Sequence, residues 1–529
     1  MTTRALRQPK LSPPTERPIL GCTGMKLNDL LAGAGAVDPP ANGNIEVSSV
    51  IYNSREAIAG CLFVAIRGEA TDGNRFIFDA VDHGARVVVS ELPPPPGPAW
   101  EALLATPPPP VPLGVTWVRV ADARKALAVM AANFYGRPAD QLQLVAVTGT
   151  NGKTTTCFLI DSMLAATGRH GGLFGTIFHR TPLQTRPAAT TTPESLELQR
   201  FLAEVLRAEG TYAVLEASSH ALAQERLWGC RFAAAIFTNL TRDHLDFHQT
   251  FDNYFAAKRR LFEGTGAGSP AVGIINIDDP YGPQLAGLAS QTITYGLGKG
   301  AQVTTRHFAL SSSGLDFSAE TPAGPVEVHS HLVGRANVYN LLAAVAAGLA
   351  LGIPRTAMES GIQRLESVPG RFERVDLGQP FLVVVDFAHT DDALRNLLLT
   401  ARELHAGGRI ITLFGCGGNR DRSKRPLMGE VAGRLSDVVV LSSDNPRGED
   451  PLYIINDALV GLQRTSATAL VEPNRQRAIE LAIDQARPGD VVLLAGKGHE
   501  TVQVLKEGAI PFDDREMARR ALRARGYDG

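Results

Sequence analysis

From residue 142 onward the chain alternates between short, unbroken apolar runs and longer segments with an apolar residue every three or four positions. The runs lie at residues 142–147, 212–215, 233–237, 272–277, 381–385, 409–414, 438–441 and 491–494. A continuous Val/Ile/Leu run suits a strand buried on both faces, and its alternation with helices predicts parallel sheets covered on two sides. Ligands of such sheets collect beyond the carboxyl ends of the strands. Polar residues cluster there: 148–156, 216–220, 238–248, 386–389, 415–421, 442–447 and 496–500 each follow a run.

The alternation breaks once, at a Ser/Thr-rich, more β-like stretch (292–331), an Ala-rich helix (337–352) and residues 369–373. Boundaries near 140 and 368 follow, giving three domains: 1–139, 140–367 and 368–529. The fold class is α/β, with a central P-loop-type, mostly parallel sheet flanked by helices and a C-terminal Rossmann-like block. The most apolar stretch, 341–353, falls short of the ~20 residues a membrane helix needs and reads as a buried helix. Residues 1–20 carry Arg4, Arg7, Lys10 and Arg17 without an apolar core, so a disordered arm is expected rather than a signal. The proline runs 93–96 and 107–110 read as stiff surface loops.

Charge narrows the ligand classes. Lys plus Arg (52) nearly balances Asp plus Glu (54) in 529 residues. No global field favours nucleic acid or an anionic membrane, so neither is expected as a partner, and anionic ligands must be held locally. Five cysteines without a Cys-x-x-Cys pair point to a reducing cytoplasm rather than a disulfide frame or a zinc site.

The strongest chemical signal is Gly149-Thr150-Asn151-Gly152-Lys153-Thr154-Thr155, between an apolar run and an amphipathic helix. Backbone N–H groups at such a turn converge on phosphate oxygens, the lysine reaches the terminal phosphates, and Thr154 can ligate Mg²⁺. Val147 stands where a standard P-loop has its first glycine. The base-reading Asn-Lys-x-Asp of GTPases is absent, which disfavours a nucleotide switch.

This form of the loop is shared by Mur ligases and folylpolyglutamate synthetases. Residues 216–220, 239–248, 256–258, 337–340, 369–373 and 444–447 occur in the order of Mur ligases, and the chain resembles that family from about residue 45 to 516, most closely its diaminopimelate-adding members. The resemblance implies an ATP-dependent ligase of the bacterial cytoplasm, acting as a monomer in peptidoglycan precursor synthesis. It would join meso-2,6-diaminopimelate to the D-Glu carboxylate of UDP-MurNAc-L-Ala-D-Glu through an acyl phosphate. Catalytic roles fall on Lys153, His244 and Lys258. Mg²⁺ is implied at Thr154, Glu216, His244 and a carbamylated Lys258, and ATP also at Asn340, Arg371, Asp386 and His389. The UDP-dipeptide would be held by Ser54, Glu69, Ala70, Thr71, Thr191, Thr192, Ser218, Gln224 and Arg226. Two positions depart from the family pattern: Asn53 replaces the usual Asp before Ser-Arg, and Asp391 replaces a proline.

Diaminopimelate differs from lysine by a distal carboxylate. Reading it requires cations, supplied by Arg420 and Arg447, arginine being suited to a bidentate grip. Asp444, Asn445 and Glu500, with the Gly496 carbonyl, would receive the distal ammonium, and the resemblance also counts Pro446 among the diaminopimelate-binding positions. Alternatives are a lysine-adding Mur ligase, a folylpolyglutamate synthetase-like ligase, which would lack the first domain, and a nonenzymatic ATP-binding protein.

Overall fold

A computed structural model describes residues 24–38, 40, 42–68, 71–104, 108–405 and 407–529. The expected N-terminal arm, Cys22 and Pro107 lie outside these. The chain divides into two compact units, Met1–Arg137 and Pro138–Gly529.

The first unit contains a four-stranded parallel sheet in the order Val50–Ile51, Leu62–Val64, Val87–Ser90, Thr116–Arg119. Helix Ala123–Phe134 is capped by Asp122, whose carboxylate accepts from the N–H groups of Arg124 and Lys125. The described prolines 93–96 and 108–110 run through loop.

In the second unit, an eight-stranded sheet has the order Thr185–Pro187, Phe178–Arg180, Gly171–Phe174, Tyr212–Glu216, Gln143–Thr148, Phe232–Phe237, Val272–Asn276, Gln291–Tyr295. The last six strands are parallel to one another, and the first two form an antiparallel extension on Gly171–Phe174. Alternate residues of its central strand enter different cores: Val145 and Val147 pack on one face, Leu144 and Ala146 on the other. That two-sided burial is why the run carries no polar alternation. Of the apolar stretch read as a buried helix, residues 341–350 lie in Arg335–Ala350, which covers one of these faces, and 351–353 follow its end. The Ser/Thr-rich stretch supplies the edge strand Gln291–Tyr295 and a three-stranded antiparallel sheet, Ala309–Ser311, Gly314–Ala319 and Val326–Ser330.

A six-stranded sheet follows, in the order Glu373–Arg374, Leu382–Asp386, Val491–Ala495, Ile410–Phe414, Val438–Leu441, Thr468–Val471, with only the first strand antiparallel. It too buries alternate residues on opposite faces, Val439 and Leu441 against Val438 and Val440. Among the described residues no helix is long and apolar enough to cross a membrane. The four described cysteines are free and buried.

The periodic pattern missed three strands of the large sheet. Gly171–Phe174 begins with two glycines because a Cβ on Gly171 would lie 2.5 Å from the Tyr212 ring. The antiparallel pair Phe178–Arg180 and Thr185–Pro187 is polar and tied down by ion pairs, Arg180 to Asp161 (2.5 Å) and Arg186 to Glu204 (2.9 Å).

His179 sits buried in this pair against Phe174 and Phe201. Burial pulls its imidazole down from 6.5 to about 4. The unfolded chain therefore binds this proton more readily, and stability should fall as pH drops through 6.5 toward 4. Between pH 7 and 5 the ring should cost ~2 kcal/mol. In urea titrations at both pH values, His179→Gln should shrink the acid-side loss. An undiminished loss would show that other groups cause it.

Candidate functional site

Strand Gln143–Thr148 lies between Tyr212–Glu216 and Phe232–Phe237, so the loops after all three meet at one edge. The strand runs through Val147, wholly buried and paired with Glu216 and Ile236. The phosphate loop is thus shorter than a standard P-loop, which explains the missing glycine. Gly152 has φ +87°, and a Cβ there would lie 2.4 Å from Asn340 Oδ1. Helix Lys153–Ala166 starts immediately after it. Among the described residues, the N–H groups of Gly152, Lys153, Thr154 and Thr155 find no acceptor in the chain, leaving a set of anion-seeking donors. Lys153 Nζ donates to Gly149 O (3.0 Å) and Thr150 O (2.9 Å). Its burial lowers the ammonium pKa, opposed by Glu216 and Asp243.

Glu216 ends its strand almost wholly buried. Its carboxylate accepts from Thr154 Oγ1 (2.9 Å), Thr176 N (2.8 Å) and Thr176 Oγ1 (3.0 Å). Thr176 Oγ1 also lies 3.2 Å from Thr191 Oγ1, and Thr192 Oγ1 donates to Glu216 O (2.7 Å) with Ser218 Oγ 3.1 Å away. Arg226 donates to Thr192 O (2.9 Å) and Gln224 Oε1 (2.7 Å). The structure therefore brings Thr191, Thr192, Ser218, Gln224 and Arg226 into one network with Glu216.

His244 has φ +54°, in the left-handed region that costs a non-glycine residue about 1 kcal/mol or more. Its Nε2 lies 3.3 Å from Asp243 Oδ2, and its ring lies 4.6 Å from that of His220. Burial holds its pKa well below 6.5 against the pull of Asp243. Lys258 projects from helix Phe251–Glu263, 1% exposed, donating to Gly149 O at 2.7 Å with its Nζ 4.4 Å from the Tyr254 ring centre. Burial, reinforced by Lys153, holds this amine well below its ordinary pKa. Lys258 is thus no part of a solvated basic face.

Residues of the six-stranded block reach the same loop. Arg371 donates to Thr154 Oγ1 (3.1 Å), and its guanidinium lies 4.7 Å from the Phe387 ring centre. Burial lowers its pKa and Asp386 opposes this. Asp386 accepts from Phe372 N (2.7 Å) and Ala388 N (2.8 Å). The substitution at Asp391 leaves the turn intact. Thr390 caps helix Asp391–Leu404 through Ala393 N, and Asp391 occupies its first position. Proline favours that position for its fixed φ, while an acid suits the helix dipole.

Sequence reasoning missed the residues that join these elements. Asp392 accepts from Asn151 Nδ2 at 2.8 Å. Asp243 faces Lys424 (3.5 Å) and His389 (3.8 Å) as well as His244. Burial alone would raise the Asp243 carboxyl, but these three groups hold it well below the usual carboxylate range. Asp243 stood inside a motif already singled out, yet nothing in its spacing points to a lysine 181 positions away.

At the other strand ends, Arg420 and Arg447 flank Gly417, where a Cβ would lie 3.6 Å from Arg420 Cγ and 3.0 Å from Arg447 Nη1. Arg447 has φ +53° and donates to Gly418 O at 3.0 Å. Burial and the nearby Arg420 lower its pKa. Among the described residues neither guanidinium has a carboxylate within 4 Å. Asn445 donates to Glu500 Oε2 at 2.9 Å, and a Cβ on Gly496 would lie 2.7 Å from Asp444 Oδ2. Pro446 is buried between them, its carbonyl close above Gly418. Beneath these loops the fully buried pair Arg475–Asp514 (2.6 Å) also ties Ser443 O and Ala495 O, a support that sequence reasoning did not foresee.

In the first unit, Asn53 caps a short 3₁₀ turn holding Ser54: its Oδ1 accepts from Arg55 N (3.2 Å), as an aspartate there would. Ser54 is buried and Thr71 exposed, with Thr71 O accepting from Gly68 N (2.9 Å). Glu69 and Ala70 lie outside the described residues.

Comparison with known proteins accounts for both units. Three family profiles match: "Mur ligase family, catalytic domain" at residues 46–135, "Mur ligase middle domain" at 147–348 and "Mur ligase, glutamate ligase domain" at 370–498. A protein of Solibacter usitatus (strain Ellin6076) named UDP-N-acetylmuramoyl-L-alanyl-D-glutamate--2,6-diaminopimelate ligase is 48% identical, over 95% of this chain and 99% of its own. One of the same name from Geobacter metallireducens (strain ATCC 53774 / DSM 7210 / GS-15) is 44% identical, over 94% and 98%. A solved structure of a ligase of that name is similar with a TM-score of 0.63 at 31% identity, covering 95% of this chain and 99% of that one. With all three profiles in order and close relatives along nearly its whole length, the chain belongs to the Mur ligase family.

Proposed function

We propose that the protein is an ATP- and Mg²⁺-dependent ligase that joins meso-2,6-diaminopimelate to the D-Glu carboxylate of UDP-MurNAc-L-Ala-D-Glu, as a monomer in the bacterial cytoplasm, with a third domain beginning near residue 368. The observation that carries the amino-acid assignment is the pair Arg420 and Arg447, adjacent and without a carboxylate partner among the described residues. The relatives' names support the same reading. Their coverage includes the first unit, which a folylpolyglutamate synthetase-like ligase would lack.

ATP phosphorylates the D-Glu carboxylate to an acyl phosphate, which the incoming amine attacks to form the amide and release phosphate. The chain's part in such a transfer is positioning and charge neutralisation. The N–H groups at the start of helix Lys153–Ala166, with Lys153, hold the phosphates. Arg371 adds a cation beside Thr154. The Thr192–Ser218–Arg226–Gln224 network holds the peptide end. The hydroxyl and carboxylate oxygens of Thr154 and Glu216, already in contact, suit a hard cation, with His244 and a carbamylated Lys258 completing the set. Mg²⁺ takes oxygen ligands and keeps several waters and substrate phosphates in its shell, so few protein ligands are needed. When bound, Mg²⁺ screens the charge that repels an attacking carboxylate.

The test is ligation with diaminopimelate, L-lysine and glutamate as acceptors. Diaminopimelate should be strongly preferred, because lysine leaves the two guanidiniums unpaired. Arg447→Ala should weaken use of diaminopimelate by about 2 kcal/mol or more, with acyl phosphate formation much less affected. Equal use of lysine by the wild type, or an unchanged preference in Arg447→Ala, would refute the assignment.

A further inference from the structure

Lys497 follows strand Val491–Ala495, and its side chain is 0% exposed. Its ammonium donates to Val502 O (2.7 Å), Glu500 Oε2 (2.8 Å) and Asn445 Oδ1 (3.2 Å). Three donors thus meet three acceptors, and two of these belong to the side chains proposed to read the distal ammonium. Asn445 Oδ1 also accepts from Val504 N (2.9 Å), which turns its Nδ2 toward Glu500 Oε2 (2.9 Å). Lys497 and Asn445 therefore converge on Oε2. Glu500 Oε1 has no partner among the described residues, on a side chain 29% exposed. Rotation of this carboxylate would strand a buried ammonium, which is costly.

We propose that Lys497 is a positioning residue for amino-acid specificity: by gripping Asn445 Oδ1 and Glu500 Oε2 it presents Glu500 Oε1 to the distal ammonium of the incoming diamino acid. This rests on the function proposed above and deepens it. The competing role is purely structural, an anchor for the hairpin Val502–Leu505 and Gly508–Pro511 through Val502 O.

Three acceptors separate the two roles: meso-diaminopimelate, L-lysine, which lacks the distal carboxylate, and L-2-aminopimelate, which lacks the distal ammonium. In Lys497→Met the preference for diaminopimelate over aminopimelate should fall about tenfold or more, the scale of one charge-assisted bond. The change should appear in KM for diaminopimelate rather than in kcat. The preference over lysine, read by Arg420 and Arg447, should stay within about threefold of wild type. An unchanged aminopimelate ratio overturns the proposal, as does an equal collapse of both ratios. Should the lone Met prove unstable beside an unpaired Glu500, the double variant Lys497→Met/Glu500→Gln removes both charges. It should match Glu500→Gln alone, and a further tenfold loss would show Lys497 acting independently and overturn the proposal. Wild-type protein that uses diaminopimelate and aminopimelate equally refutes the role of Lys497 alone. Failure to ligate any of the three refutes the underlying function, and this role with it.

Discussion

Lys153→Ala should lower ADP formation by on the order of 10³-fold or more while leaving the protein folded. The side chain is folded onto the carbonyls of Gly149 and Thr150, at the start of helix Lys153–Ala166 whose first N–H groups find no acceptor among the described residues. Phosphoryl transfer has little covalent work for the protein to do, so removing a preorganised cation removes much of its contribution. The fold should survive, because the neighbouring strand and helix are held by apolar packing on both faces. Lys153→Arg should restore little, since the guanidinium is planar and cannot replace an ammonium held by two carbonyls. Turnover near wild type in Lys153→Ala, with a normal circular dichroism spectrum, would remove the phosphate loop from the mechanism.

The second large effect is expected at Lys258, which we propose to be carbamylated. Reaction with CO₂ requires a neutral amine, and burial beside Lys153 favours the neutral form. The product is an anion, so a buried amine next to Lys153 becomes a group that can support Mg²⁺. Its nitrogen keeps one N–H, which can preserve the bond to Gly149 O seen at 2.7 Å. Lys258→Ala should therefore lose on the order of 10²-fold to 10³-fold in turnover, the scale of one preorganised electrostatic group. Acetate or formate should partly restore it by supplying a carboxylate to the space left. Absence of rescue at any concentration, together with an intact-protein mass lacking about 44 Da under CO₂ as expected for the carbamate, would refute the modification.

The phosphate loop, the parallel sheets and the buried Ala-rich helix were legible in the sequence because each depends on local pattern. A two-sided strand must be apolar at every position, as residues 144–147 are, and a phosphate-binding turn must pass from strand through glycine to helix. The edge strands Gly171–Phe174, Phe178–Arg180 and Thr185–Pro187 lack such a pattern. The first is shaped by the Tyr212 ring lying over it, the others by ion pairs to distant helices.

The same division runs through the candidate site. Glycine, lysine and threonine spacing picked out the turn 149–155 between strand and helix, and family resemblance supplied Lys258. Only the tertiary structure decided that Lys258 is buried against Gly149 and that Asp243 gathers His244, His389 and Lys424. It likewise decided that Lys497 holds Asn445 and Glu500 together. Local sequence sets backbone conformation and which side chains are apolar. The electrostatics of a buried amine or carboxylate depends on which charges folding brings within a few ångströms, and those come from segments far apart in the chain.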